Sequence, residues 1–263
     1  MIIETEASHT DKSGIAEVLV TKYGTAEALA VKSGDMLVIK SSIEVQLVRP
    51  PFRVGIEIYN SRLFCKRFHI TTPKMSKTAL VILAQGAEEM ETVITVDMLR
   101  RGGVTVTLAG LDGSSPVLCS RQVTLVPDMS LTDALAEKPQ YDAVILPGGL
   151  EGSDRLSKSS VVGTLLKEHE KNGRIVAAIC AAPTAFVAHG VAKGKRLTSY
   201  PSTKDKITAD YQYVEGERVV ADGNIVTSRG PGTAYWFGLK LIEMLTGKEK
   251  ADQVEKGMII SGY

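Results

Sequence analysis

The chain has 263 residues, 31 Lys+Arg against 30 Asp+Glu, 44% hydrophobic and 23% charged residues. This balance is that of a folded domain and excludes a disordered, collagen-like or coiled-coil chain. A net charge of +1 also argues against a dedicated nucleic-acid binder, which needs a basic excess on its surface.

Residues 1–74 show weak periodicity. A helix over 15–31 and strands over 45–48, 55–59 and 63–70, with Asn60-Ser61 as a turn, are the expectations there, and no chemistry is visible. The pattern changes near Met75. Residues 78–84 (TALVILA) read as a buried strand. Residues 88–101 read as a helix with Met90, Val93, Ile94 and Met98 on one face. Its acids (Glu88, Glu89, Glu91) sit at the positive end, Arg100 and Arg101 at the negative end, and Gly102-Gly103 stop it.

Residues 104–109 form the next expected strand, 123–126 a short one, and 131–137 a brief helix. Residues 141–146 (YDAVIL) are again strand, ending in Pro147-Gly148-Gly149. A helix over 161–171, closed by Gly173, leads to the strand 174–179, which runs directly into Cys180. Pro183 opens a helix that Gly190 ends. Residues 218–228 read as a hairpin around Asp222-Gly223. Pro231 opens a last helix with Tyr235, Leu239, Ile242 and Leu245 on one face, ended by Gly247.

Strands apolar on both faces and alternating with helices predict a doubly wound, mostly parallel α/β sheet over residues 75–263, with an N-terminal extension over 1–74. Ligand sites in such sheets lie at the carboxyl ends of the strands. Residues 86–91, 147–149 and 180–183 occupy three such ends.

The segment Ile179-Cys180-Ala181-Ala182-Pro183 has the layout of a nucleophile elbow: an apolar strand, a nucleophile at a sharp turn, small neighbours, then a helix. The helix end favours a thiolate, and its free N–H groups suit an oxyanion. The plain alternative is a small buried hydrophobe. Glu91 reads either as a carboxylate stabilised at a helix start or as a proton carrier beside Cys180. Pro147-Gly148-Gly149 is either a plain turn or an accessible backbone donor. Cys119 and Cys65 have no organised surroundings. Three cysteines are too few, and too odd in number, for a disulfide framework, so reduced cytosolic thiols are expected.

No CxxC or HExxH pattern occurs, so no metal site is expected. The most apolar stretch, 175–188, is broken by Pro183 and falls short of the ~18 residues of a spanning helix. Glu4, Glu6, His9 and Asp11 stand where a signal peptide carries its basic and apolar segments. Neither a membrane span nor secretion is expected.

From Met75 onward the sequence resembles the DJ-one family (Parkinson disease protein 7, protein deglycase), within the class-I-glutamine-amidotransferase-like superfamily. The blocks ALVILAQGAEEMETV, VTLAGLDG, VILPGGL, AAICAAPTA, KDK and TSRGPGT carry the resemblance, in order and at compatible spacing. It implies a flavodoxin-like sandwich, usually a homodimer, without a cofactor. It implies that Cys180 is the reactive cysteine and Glu91 the acid bonded to it. By the same resemblance Gly149 and Ala181, with Gly148, line an oxyanion site. Arg121 reaches toward a partner subunit's site, and Arg229, Gly230 and Pro231 border the pocket.

Members act on methylglyoxal and glyoxal or their protein and nucleotide adducts, and act as oxidative-stress sensors and chaperones in cytoplasm, nucleus and mitochondrion. This chain departs from the pattern at three places. Tyr200 stands where the family often has histidine, Val126 replaces a second family cysteine, and residues 1–74 precede the family's usual start. His169 and His189 are expected to be structural or surface residues. Two functions follow: a cysteine-dependent glyoxalase or deglycase releasing 2-hydroxy acids, or a redox-sensing chaperone with little turnover. A peptidase carries low weight without a histidine partner for Cys180.

Overall fold

The computed structural model describes Ala28–Ala30, Leu37–Ile39 and residues 76–260. The chain divides into two units, Met1–Met75 and Ser76–Tyr263. In the first, Ala28–Ala30 and Leu37–Ile39 pair antiparallel. The strand at Ala28–Ala30 corrects the helix expected over 15–31, at least at its end. The other elements expected before Met75 lie outside the described residues.

The second unit is built on a seven-stranded sheet. Its order is Val219–Asp222, Ile225–Ser228, Ile175–Ile179, Ala143–Leu146, Thr78–Leu83, Thr105–Gly110, Met129–Ser130. Every pairing is parallel except that of Val219–Asp222 with Ile225–Ser228 at one edge. The fold is thus the mostly parallel, flavodoxin-like sandwich expected.

Alternation along each strand explains the two helical layers. In Thr78–Leu83, Ala79 and Val81 face one side with Met98, Leu99, Phe237, Leu241 and Ile242, from helices Glu89–Arg101 and Ala234–Thr246. Leu80 and Ile82 face the other side with Leu156, Val162, Leu166 and Phe186, from Leu150–Lys158, Ser160–Lys171 and Thr184–His189. Burial on both faces removes these side chains from water, about 1.5–3 kcal/mol for each one larger than alanine, which is why the strands read as unbroken apolar runs.

Several local expectations change. Met90 and Val93 are exposed, at 52% and 48%, and the inner face of their helix carries Glu91, Thr92, Thr95, Val96, Met98 and Leu99. The apolar stripe misled because the inner face borders the polar site at its first turn. Leu150–Lys158 is a helix that its polar sequence concealed, and Lys248–Gly257 is another, following the Gly247 stop. Pro231–Thr233 is a 3-10 turn before the last long helix, and Tyr235 lies on that helix's outer side. Among the described residues, no helix is long and apolar enough to cross a membrane.

Candidate active site

The chain runs outward from Thr78–Leu83 through Thr105–Gly110 and Met129–Ser130. It then returns to the opposite side of Thr78–Leu83 at Ala143–Leu146. This reversal opens a crevice at the carboxyl ends of the two central strands, the place where open α/β sheets bind ligands. Residues 84–91 leave the first strand there, residues 147–149 leave the second, and Cys180 follows the neighbouring strand Ile175–Ile179.

Cys180 has φ of 64°, a left-handed conformation that a non-glycine residue adopts at a cost. Two hydrogen bonds hold it: its N–H donates to Ser228 O at 3.0 Å, and its carbonyl accepts from Tyr200 N at 2.8 Å. The elbow therefore reverses the chain between two fixed neighbours and turns the thiol into the crevice. The side chain is nearly buried, with the residue 8% exposed. The short helix Thr184–His189 begins only after the turn residues that follow the thiol.

Glu91 enters from the first turn of Glu89–Arg101 and is completely buried. Its Oε2 accepts the Gly148 N–H at 2.8 Å. Its Oε1 is buried without a well-formed hydrogen bond among the described residues. The Cys180 thiol lies within hydrogen-bonding reach of the same carboxyl.

Two glycines make this approach possible. A Cβ on Gly148 would fall 2.5 Å from both Cys180 Cβ and Glu91 Oε2. Gly149 has φ of 88°, and a Cβ there would run into the Gly86 carbonyl. The N–H groups of Gly149 and Ala181 both point to the Cys180 sulfur.

Electrostatics set the protonation of the pair. Burial raises Glu91 from its ordinary 4.5 to about 7, opposed by its bonds to Cys180 and the Gly148 N–H, and assisted by the charge of Glu88. Burial also pushes Cys180 up to about 12, followed by the charge and hydrogen bond of Glu91; the Gly149 and Ala181 N–H groups pull the other way. Burial and the facing carboxylate thus oppose the helix-end preference for a thiolate. One turn of helix end does not outweigh burial beside a carboxylate. The two groups titrate as a pair: one proton leaves near pH 7, and the second is held far above. Once Glu91 is protonated, its charge no longer opposes a negative sulfur, and the two backbone N–H groups still favour it.

Glu88 was not singled out from the sequence. It ties the site together: its N–H donates to Gly148 O at 3.0 Å, and its side chain caps the helix by accepting the Glu91 N–H at 2.8 Å. A carboxylate just ahead of a helix is a capping signal in itself. Ser228, the acceptor for the Cys180 N–H, left no sequence signal because its role is played by its backbone.

The other expected residues fall around this centre. Tyr200 is bonded to Cys180 through its backbone, and its ring lies over Gly230, next to Pro231. Arg229 is half-buried and near enough to Glu215 to favour that carboxylate. Arg121 is exposed: its N–H donates to Glu89, and its Nη1 donates to Ser120 O at 3.3 Å. Within one chain the Arg121 side chain thus bonds its own hairpin.

Cys119 is buried in the antiparallel hairpin of Val117–Leu118 and Thr124–Leu125, and burial with nearby Glu89 and Glu88 pushes its thiol to about 11. His169 is buried with Nδ1 2.9 Å from Leu165 O, and His189, at the end of the helix after the elbow, has Nε2 2.9 Å from Leu156 O; each ring is engaged with a backbone carbonyl rather than with the thiol. Among the described residues, no group of His, Cys, Asp and Glu has the arrangement of a metal site.

The model of the DJ-1/PfpI family matches residues 77–244. The chain belongs to the DJ-1/PfpI family. It is 56% identical to protein dj-1beta of Drosophila melanogaster over 187 residues, covering 71% of this chain and 99% of that one. It is 40% identical to a protein of Caenorhabditis elegans named glutathione-independent glyoxalase DJR-1.2, over 70% of this chain and 97% of that one. The crystal structure of Drosophila melanogaster DJ-1beta superposes with a TM-score of 0.69, covering 72% of this chain and all of that one. In this DJ-1/PfpI chain the cysteine, the buried glutamate and the glycine pair sit in one crevice of the conserved sandwich.

Proposed function

We propose that the protein is a cofactor-independent glyoxalase whose nucleophile is Cys180 and whose proton carrier is Glu91. The observation that carries this reading is the meeting of a thiol, a carboxyl with its pKa raised to about 7 and two backbone N–H groups directed at the thiol. The relative named as a glutathione-independent glyoxalase supports the choice of a 2-oxoaldehyde as substrate.

Ionised Glu91 takes the Cys180 proton as sulfur bonds to the aldehyde carbon, and the carbonyl electron pair moves to oxygen. The Gly149 and Ala181 N–H groups stabilise that oxyanion until Glu91 returns the proton. Glu91 then removes the hydrogen from the same carbon. Its electron pair forms an enediol, and protonation of the adjacent carbon leaves a thioester of a 2-hydroxy acid. Water adds to the thioester, the C–S bond breaks, and sulfur regains its proton. One carbon is oxidised and its neighbour reduced, so methylglyoxal plus water gives lactate with no external oxidant. Hemithioacetal and aminocarbinol adducts offer the same carbon, which extends the reading to glycated proteins and nucleotides.

The test is lactate formation from methylglyoxal without glutathione. Turnover that vanishes in Cys180→Ala supports the reading; full turnover in that variant overturns it.

A second role rests on the same glutamate. Protonated Glu91 is a donor for a sulfinate on Cys180, which favours oxidation of this thiol as a sensing step. Gain of two oxygens on Cys180 under mild peroxide, in a protein with negligible aldehyde turnover, would make sensing the principal function. We further propose a homodimer. The exposed Met90 and Val93 lie one helical turn apart and form an apolar face for it, and the exposed Arg121 would exchange its bond to Ser120 O for a partner's site.

A further inference from the structure

We infer that Tyr200 is a specificity-determining wall of this site, and that it selects 2-oxoaldehydes bearing an aryl or other flat apolar group over methylglyoxal and glyoxal. The inference rests on the glyoxalase reading and adds the class of substrate.

Three observations place the ring. The Tyr200 N–H donates to Cys180 O at 2.8 Å, which puts the residue one hydrogen bond from the nucleophile's own backbone. The Cys180 N–H is bonded to Ser228 O, two residues before Gly230. Tyr200 Cδ2 and Cε2 lie 3.4 Å and 3.8 Å from where a Gly230 Cβ would stand, so the ring rests on that glycine at van der Waals spacing. The elbow is thus flanked by Tyr200 and by the segment ending in Gly230, with the tyrosine ring lying on that glycine.

Hydrogen bonds fix the backbone on both sides of the ring. Tyr200 O accepts from Thr203 N at 2.9 Å and Thr203 Oγ1 at 2.8 Å. Gly230 N donates to Thr233 Oγ1 at 3.1 Å, and the same hydroxyl donates to Gly230 O at 2.9 Å. Yet Tyr200 is 45% exposed. A large aromatic surface held firmly on one side and open on the other is a stacking platform. It offers contact area with little rotamer entropy left to lose. A histidine at this place would present a smaller, polar ring with a titratable nitrogen; the phenol ring presents a flat apolar face and is a poor base near neutral pH.

Aromatic pairing contributes about 0.5–1.5 kcal/mol beyond burial, equivalent to about a 2- to 13-fold preference. The experiment is the ratio of kcat/KM for phenylglyoxal to that for methylglyoxal, from initial rates, in the wild type, Tyr200→Phe, Tyr200→Leu and Tyr200→Ala. A ratio that is kept in Tyr200→Phe and falls about 3- to 10-fold in both Tyr200→Leu and Tyr200→Ala is expected. A ratio that does not change in the last two overturns the inference while leaving the glyoxalase reading intact. Absence of turnover with both aldehydes in the wild type overturns the glyoxalase reading instead. The platform is then judged by calorimetric binding of mandelate against lactate. A preference for mandelate that Tyr200→Ala abolishes upholds the wall, and equal binding of the two acids rejects it.

Discussion

Cys180 Cβ and Glu91 Oε2 meet across the empty side of Gly148: each is 2.5 Å from the point where a Gly148 Cβ would be, so the two atoms lie no more than twice that distance apart. The glycine also donates its N–H to Glu91 Oε2. Gly148 is therefore both the gap through which acid and thiol communicate and a bond that aims the acid. Gly148→Ala must push one of them away. A displacement of about 1 Å at a reacting centre costs on the order of 100-fold in rate, and that loss in kcat/KM toward methylglyoxal is expected. Circular dichroism should show the fold retained, because Gly148 lies in the loop after a strand rather than within the sheet.

The raised acid sets a pH dependence of activity. Glu91 must be ionised to accept the thiol proton, and its pKa is about 7. The kcat/KM is thus expected to rise about tenfold per pH unit below neutrality and to level above it. Glu91→Gln should abolish this limb and lower kcat/KM by about 100- to 10,000-fold. A rising limb with the same midpoint in Glu91→Gln would assign the titration to another group.

The same group sets a pH dependence of stability, with the opposite direction. Unfolded, Glu91 titrates near its ordinary 4.5; folded, near about 7. Between those values the native state holds more protons than the unfolded state, so stability falls as pH rises through the window. The full effect of a shift of this size is up to about 3 kcal/mol. Urea unfolding at a series of pH values should show this decline in the wild type and a flatter profile in Glu91→Gln. A flat wild-type profile would contradict the burial argument.

Backbone strain at the nucleophile predicts an inverted size effect. At φ of 64°, a side chain at residue 180 costs about 1–2 kcal/mol that glycine does not incur. Cys180→Gly is expected to be more stable than Cys180→Ala by about 1 kcal/mol, although it removes a further methyl group. Thermal melts of the two inactive variants make the comparison; a less stable glycine variant would show that the turn is unstrained.

The two described cysteines should react in a fixed order. Cys119 is shut in its hairpin and pushed to about 11, with burial and the charges of Glu89 and Glu88 all opposing its thiolate. Cys180 has Glu91 to receive its proton and two N–H groups to hold the charge. Peptide mapping after mild peroxide or iodoacetamide should find Cys180 modified well before Cys119. Equal rates would mean that the pair does not activate the thiol.

The sequence alone determined the layering of residues 76–260, since strands such as TALVILA and RIVAAI are too uniformly apolar to face water on either side. It also determined that Cys180 follows a strand and that Glu91, in a helix's first turn, and Gly149 lie at the carboxyl ends of neighbouring strands. The blocks surrounding them were enough for the family. What periodicity misjudged was the first helix: its inner face gives up apolar residues at Glu91 and Thr92 because that turn borders the crevice, so Met90 and Val93 stand outside. The polar helix Leu150–Lys158 was invisible because tertiary packing of Leu156, rather than its composition, holds it. Only the tertiary structure decided the proton's place. Helix-end reasoning predicts a thiolate, but the opposing terms, burial and a facing carboxylate, come from segments distant in sequence that meet at Gly148. Through-space charge and desolvation depend on that meeting, and no local pattern of residues encodes it.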